Sequence, residues 1–192
     1  MSADLKTLLR RGLSAHEGNR PDEAEKIYRR ALSLSPGNPE VEHLLATLLT
    51  SLDRHREALE LFDSCLPRLG ANPAVRCNFA IALERAGQIE KAIDEFRQAI
   101  SYHGDFPTAL YHLARLEMPR GHIGQTVDLL GRLLGLKPDH FDGLLLFGEA
   151  LHALGQEEAA LTSLDRAAEA AGITPDMTVP YTHLTPPTTF RV

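Results

Sequence analysis

The sequence predicts an all-α protein, a solenoid of five stacked helical hairpins, and three observations carry that prediction. The chain repeats itself at a fixed period of 34 residues with neither insertion nor deletion. Leu and Ala dominate the composition, aromatic residues are only 6% and Trp is absent, which favours helices packed closely on helices. Apolar residues recur at the spacing of amphipathic helices, punctuated by Gly and Pro.

The period is read position by position, because self-similarity at 20–50 residues decides the fold before any local propensity does. Steps of 34 from Gly12 reach Ala46, Ala80, Ala114 and Gly148, and from Ala24 they reach Ala58, Ala92, Thr126 and Ala160. All are small, as two helices crossing closely within a hairpin require. From Tyr28 the series runs through Phe62, Phe96, Leu130 and Leu164, large apolar residues that fill the gap toward the next repeat. Ala31, Cys65, Ala99, Leu133 and Ala167 form a further apolar series, which makes Cys65 a small buried hydrophobe. Gly87, Gly121 and Gly155 end the first helix of their hairpins, where a left-handed residue is easiest without a Cβ. Pro36, Gly70, Gly104, Pro138 and Gly172 stop the second helix, and Pro39, Pro73 and Pro107 open the next, where the missing N–H is harmless.

With these positions in hand, the chain from Leu5 to Thr174 resembles the tetratricopeptide repeat family. The stretch Asn78-Phe-Ala-Ile-Ala-Leu-Glu-Arg-Ala-Gly-Gln-Ile-Glu-Lys-Ala92 is especially similar. The resemblance implies a right-handed superhelical solenoid over 1–174, with repeats at 5–38, 39–72, 73–106, 107–140 and 141–174. Three departures stand out. No Trp occurs, Arg11 replaces the large apolar residue found at Leu45, Phe79, Leu113 and Phe147, and Glu117 replaces another apolar residue. Arg11 suits a first repeat, whose outer face has no neighbour to bury it.

Pro175 stands where a sixth repeat would start, and Asp176 and Met177 are compatible with one. Pro180, Pro186 and Pro187 are not, since each would cost about 3 kcal/mol inside a helix. Residues 175–192 therefore read as an aborted sixth repeat and a disordered Thr/Pro-rich tail. Tyr181-Thr-His-Leu-Thr-Pro-Pro-Thr188 also resembles translated sequencing-adapter read-through, with Pro186 in place of the usual Leu. Two expectations stay open: a natural tail, or a chain cut short in its sixth repeat whose uncapped last hairpin leaves self-association open.

Little in the sequence supports catalysis. It has no Gly-rich phosphate loop, no Gly-x-Ser-x-Gly, no His-Glu-x-x-His and no Cys-x-x-Cys, so an enzyme and a bound cofactor or metal are not expected. The nine histidines lack helical ligand spacing: His112 and His122 fall on different helices, and His140 and His152 are too far apart. A net charge of −6 offers no global attraction to nucleic acid. No apolar run is long enough for membrane insertion and the first residues lack a signal-peptide pattern, so a reduced cytoplasmic setting is expected. Charge runs such as Glu23 to Lys26 and Glu90 to Glu95 alternate in sign, as solvated helix faces do.

In such a stack the first helix of each hairpin lines the concave surface. Residues not needed for packing there are Lys6 and Arg10, then His43 and Thr47, then Cys77, Asn78, Ile81 and Arg85. Tyr111, His112 and Arg115 follow, and the last repeat adds Leu145, Glu149 and His152. The surface reads as mixed and moderately basic, suited to an extended peptide or a helix. Cys77 is either a reactive groove thiol or an inert one. The place of Asn78 is similar to the asparagine ladder by which some family members hold a peptide backbone, because an amide both donates and accepts. The alternative is an Asn that only caps or hydrates its helix. Arg10, Leu44, His112 and Leu146 occupy the equivalent places, and Leu9 and Leu13 stand where chaperone-binding relatives carry their carboxylate clamp.

The expected function is a scaffold that binds a protein or peptide partner in this groove. The alternative, from a different class, is the N-terminal substrate-recruiting region of a larger bacterial enzyme of glycosyltransferase, sulfotransferase or methyltransferase type.

Overall fold

The computed structural model describes residues 3–104 and 106–173. Among these residues ten α-helices fold as five hairpins: α1 (Ala3–Glu17) with α2 (Pro21–Leu34), α3 (Pro39–Ser51) with α4 (His55–Leu69), and α5 (Pro73–Arg85) with α6 (Ile89–His103). The fourth pairs α7 (Pro107–Glu117) with α8 (Ile123–Leu136), and the fifth α9 (Phe141–Ala153) with α10 (Glu157–Ala170). No strand occurs among the described residues. The residues from Thr174 to Val192, on which the aborted repeat, the tail and the adapter likeness were read, lie outside them.

The periodic positions explain the packing. The small residues Gly12, Ala46, Ala80, Ala114 and Gly148 are all buried. A Cβ on Gly12 would lie only 2.5 Å from the Tyr28 ring, so α1 and α2 approach as they do only because no side chain intervenes. Tyr28, Phe62, Phe96 and Leu130 are fully buried between successive hairpins, and Cys65 sits among them. Asn38 caps α3 by accepting from the Glu40 and Val41 N–H groups, and Asn72 caps α5 through the Ala74 N–H.

The turn inside each hairpin needs a left-handed residue, and Gly87, Gly121 and Gly155 supply it with φ of +76°, +79° and +74°. The first two hairpins use Asn19 (φ +53°) and Asp53 (φ +57°) at the same place, residues whose short polar side chains tolerate that region. Pro119 ends α7 early, as its lack of an N–H dictates, and a 3-10 turn over Met118–Arg120 follows.

Glu117 is fully buried where Leu83 and Leu151 stand in neighbouring repeats. Its carboxylate accepts from Arg97 Nη2 at 2.7 Å, pairs with Arg120 Nε at 3.4 Å, and meets His122 Nδ1 at 2.5 Å. The charge is thus compensated by partners from α6, the 3-10 turn and the start of α8.

Candidate partner-binding groove

First helices of successive repeats touch, α1 with α3, α3 with α5 and α5 with α7, while the second helices do not pack on one another to that extent. The stack is therefore tighter along its first helices, and that side is the concave one.

Asn78 holds the middle of this face. Its Nδ2 donates to Thr47 Oγ1 at 3.3 Å and lies 3.1 Å from His43 Nε2, so one amide ties α5 to α3. Burial holds the His43 ring below its usual pKa, which keeps it neutral and leaves Nε2 free to accept. Thr47 Oγ1 in turn donates to the His43 carbonyl at 2.9 Å. The Asn78 side-chain oxygen has no hydrogen-bond partner among the described residues. One and two turns further along α5, Ile81 and Arg85 join Asn78, Thr47, Thr50 and Ser51 around a pocket of 160 Å³. Arg85 Nη1 reaches the Thr50 carbonyl at 3.4 Å and Asp53 Oδ1 at 3.5 Å.

A second cluster lies one repeat on. Glu84 of α5 meets His112 Nδ1 at 3.0 Å and also pairs with Arg115. Burial pushes the Glu84 carboxyl upward, but His112 and Arg115 outweigh it and hold the group below its usual range. The His112 ring stacks on Phe96 with centroids 5.3 Å apart, and Tyr111 packs against both His112 and His140.

The structure thus gathers His43, Asn78 and Arg85 into one site and Tyr111, His112 and Arg115 into another. Lys6 on α1 and Glu149 on α9 are exposed and joined to neither, and exposed His152 is taken up by Glu157 at 2.9 Å. Two readings need correction. Cys77 is buried, and its surroundings push the thiol up to about 12, so it offers no groove surface. Nor is the groove as basic as its arginines suggest, because Asp53 faces Arg85 and Glu84 neutralises Arg115. Thr50, Ser51 and Glu84 were missed. The signal was present, since Thr50 and Glu84 share one repeat position on the groove side of their helices. The Asn78 amide joins two repeats, a link between helices that the sequence did not reveal.

Among the described residues, no group of three or more His, Cys, Asp or Glu could hold a metal ion, and no helix is long and apolar enough to cross a membrane.

Comparison with known proteins adds four findings. The tetratricopeptide repeat family matches over residues 15–76 and again over 77–121. Cellulose synthase operon protein C of Pseudomonas fluorescens (strain SBW25) is 30% identical over 81% of this chain, which spans 13% of that protein. Protein O-mannosyl-transferase TMTC3 of Homo sapiens is 25% identical over 69% of this chain, which spans 19% of it. Among solved structures, Pseudomonas aeruginosa pilF superposes with a TM-score of 0.79 at 17% identity, covering 86% of this chain and 76% of that one. The pilF likeness concerns the fold alone.

Proposed function

The chain belongs to the tetratricopeptide repeat family, and we propose that it is a protein-interaction scaffold that takes an extended peptide segment of its partner across α3, α5 and α7. The observation that carries this reading is the pocket around Asn78. Its unpaired side-chain oxygen accepts a peptide N–H, Ile81 gives an apolar floor, and Arg85 supplies donors beside it. Asn78 and Arg85 lie seven residues apart on α5, about 10 Å along the helix, the reach of three residues of extended peptide. Specificity comes from the few polar groups, and affinity from main-chain bonds and side chains buried against Ile81 and Tyr111.

The test selects binders from a random peptide display library on the wild-type chain and measures them on N78A/R85A. Binding should fall about tenfold or more, on the scale of losing one or two buried hydrogen bonds, with helicity unchanged. Undiminished binding to the variant would remove the groove from the account.

A second reading is favoured by the lengths and names of the relatives. The chain matches a small part of much longer proteins, one of them a mannosyl-transferase. In that reading the groove recruits a substrate protein to a catalytic domain on the same polypeptide. Recovery of the full-length gene decides it, since such an enzyme must show a catalytic domain beside the repeats.

A further inference from the structure

Consecutive second helices are joined differently at each junction of the stack. Between the first and second hairpins Arg29 of α2 bonds Glu57 of α4 at 3.0 Å, with Arg54 and Glu25 beside them at 2.7 Å. The same two repeat positions hold Asp63 and Lys91 at the next junction, opposite charges that both line a cleft of about 490 Å³. At the third, Arg97 turns down onto buried Glu117 at 2.7 Å, and Arg120 Nη2 reaches across to Glu90 at 3.1 Å. The fourth junction has lost these groups. Gly131 and Ala159 stand in place of Arg29 and Glu57, while Gly124 and Leu154 replace Glu90 and Arg120.

The cleft at this fourth junction is correspondingly larger, about 920 Å³. Val127 of α8 lines one wall, Phe147 and Leu151 of α9 form an apolar floor, and α10 supplies the other wall through Ala159, Thr162 and Arg166. Gly124 and Gly131 lie one turn to either side of Val127, and a Cβ on either would meet nothing within 4 Å among the described residues. Glycine weakens a helix interior, so α8 loses stability at the two places where a side chain would close the cleft. The opening does not depend on where the described residues stop, because the smaller cleft between α4 and α6 recurs with further hairpins beyond it.

The walls select the occupant. They are helices, whose main chains are bonded internally and offer an extended strand no ladder of partners. Thr162 and Ser163 spend their hydroxyls on the Glu158 and Leu144 carbonyls, which leaves one amide, Gln156, at one end. An occupant must therefore satisfy its own main chain, as a helix does, and present an apolar stripe to Val127, Phe147 and Leu151. Gln156 and Arg166 are ten residues apart on one side of the cleft, about 15 Å, nearly three helical turns. Charge sets the direction. Exposed Glu157 and Glu158 mark the start of α10, and Arg166, held by the Pro138 carbonyl at 2.9 Å, marks the far end.

We propose that the cleft between α8 and α10 docks an amphipathic helix of a partner protein, antiparallel to α10. Its basic last turn lies against Glu157 and Glu158 and its acidic first turn against Arg166, the distribution that a helix dipole itself favours. The site is on the second-helix side of the stack, opposite the groove, so both can be filled at once.

A display library built on a helical peptide of about four turns, varied at i, i+3, i+4 and i+7 and in its end turns, tests this. Selection on the full 192-residue chain should recover apolar residues on that stripe, acids in the first turn and Lys or Arg in the last. G131R restores the side chain that α2 and α6 carry at this position, and it should weaken binding about tenfold or more by filling the cleft. Arg is a better helix former than Gly, so the same change should hold or raise Tm and leave groove-selected peptides bound as before. E158K should shift the preference toward peptides with Glu in the last turn. Amide shifts in nuclear magnetic resonance should centre on Val127, Phe147, Leu151 and Thr162. Failure to recover a binder, binding unchanged in G131R, an unchanged charge preference in E158K, or shifts centred elsewhere would each overturn the proposal. So would a selected peptide that still binds after a central proline breaks its helix.

Discussion

The hydroxyl of Tyr28 is buried with no hydrogen-bond partner among the described residues, and burial pushes its pKa up to about 12. Phe62 and Phe96 fill the same repeat position without that oxygen. Y28F should therefore raise stability by about 1 kcal/mol, as removal of an unsatisfied buried polar group does, and calorimetry reads it as a higher Tm. Glu117 poses the same question with a charge. Replacing it by the Leu found at positions 83 and 151 should leave stability equal or raise it by about 1 kcal/mol, because only the carboxylate is buried and the Arg97, Arg120 and His122 side chains left behind are exposed enough to be hydrated. A drop on E117L in chemical denaturation would show that the network of Arg97, Arg120 and His122 is itself stabilising. His43 has a folded pKa below its ordinary 6.5, so the folded state binds fewer protons than the unfolded one. Its contribution to stability is present above pH 6.5 and fades as the pH falls below that value. Peptide binding should weaken over the same window, since a protonated Nε2 can no longer accept from Asn78; titration of binding between pH 7 and pH 5 checks it. At this scale the sequence revealed the size of each residue but not its partner. Asn78 and His43 meet across 35 residues, and only the rotation between repeats decides which polar side chains come within reach.

Among the elements, α8 is the least favourable helix by composition. Gly124, Gly131 and Gly135 lie on it, all exposed, and a Cβ added to any of them would meet nothing within 4 Å. Interior glycine costs about 1 kcal/mol relative to Ala, so G124A, G131A and G135A should each stabilise by up to that amount in thermal or denaturant unfolding. In a quasi-one-dimensional stack a weak unit opens locally. Hydrogen exchange should therefore be faster over residues 121–135 than over 89–102, and the three alanines together should reverse that order. Helix bounds were legible because Pro and Gly mark them. The left-handed Asn19 and Asp53 were harder to see, since only their alignment with Gly87, Gly121 and Gly155 shows that the same turn is being made. Cys77 was misjudged because it directly precedes Asn78, and a single step around a helix separates the groove from the interior.

For the whole molecule, the 34-residue period carried the fold, because each hairpin has an apolar face that only its neighbours can bury. The groove was legible as a surface, since its residues are those that packing leaves unused, but its charge was not. Asp53 and Glu84 answer Arg85 and Arg115 from other helices, which leaves the central pocket polar and nearly neutral. That balance favours peptide recognition through main-chain bonds over capture of a highly charged ligand. The most direct measurement is nuclear magnetic resonance of the isotope-labelled chain titrated with a display-selected peptide. The account predicts that perturbed amides cluster on α3, α5 and α7 around Thr47, Asn78, Arg85 and Tyr111. Perturbations confined to α4, α6 and α8 on the opposite surface would contradict it.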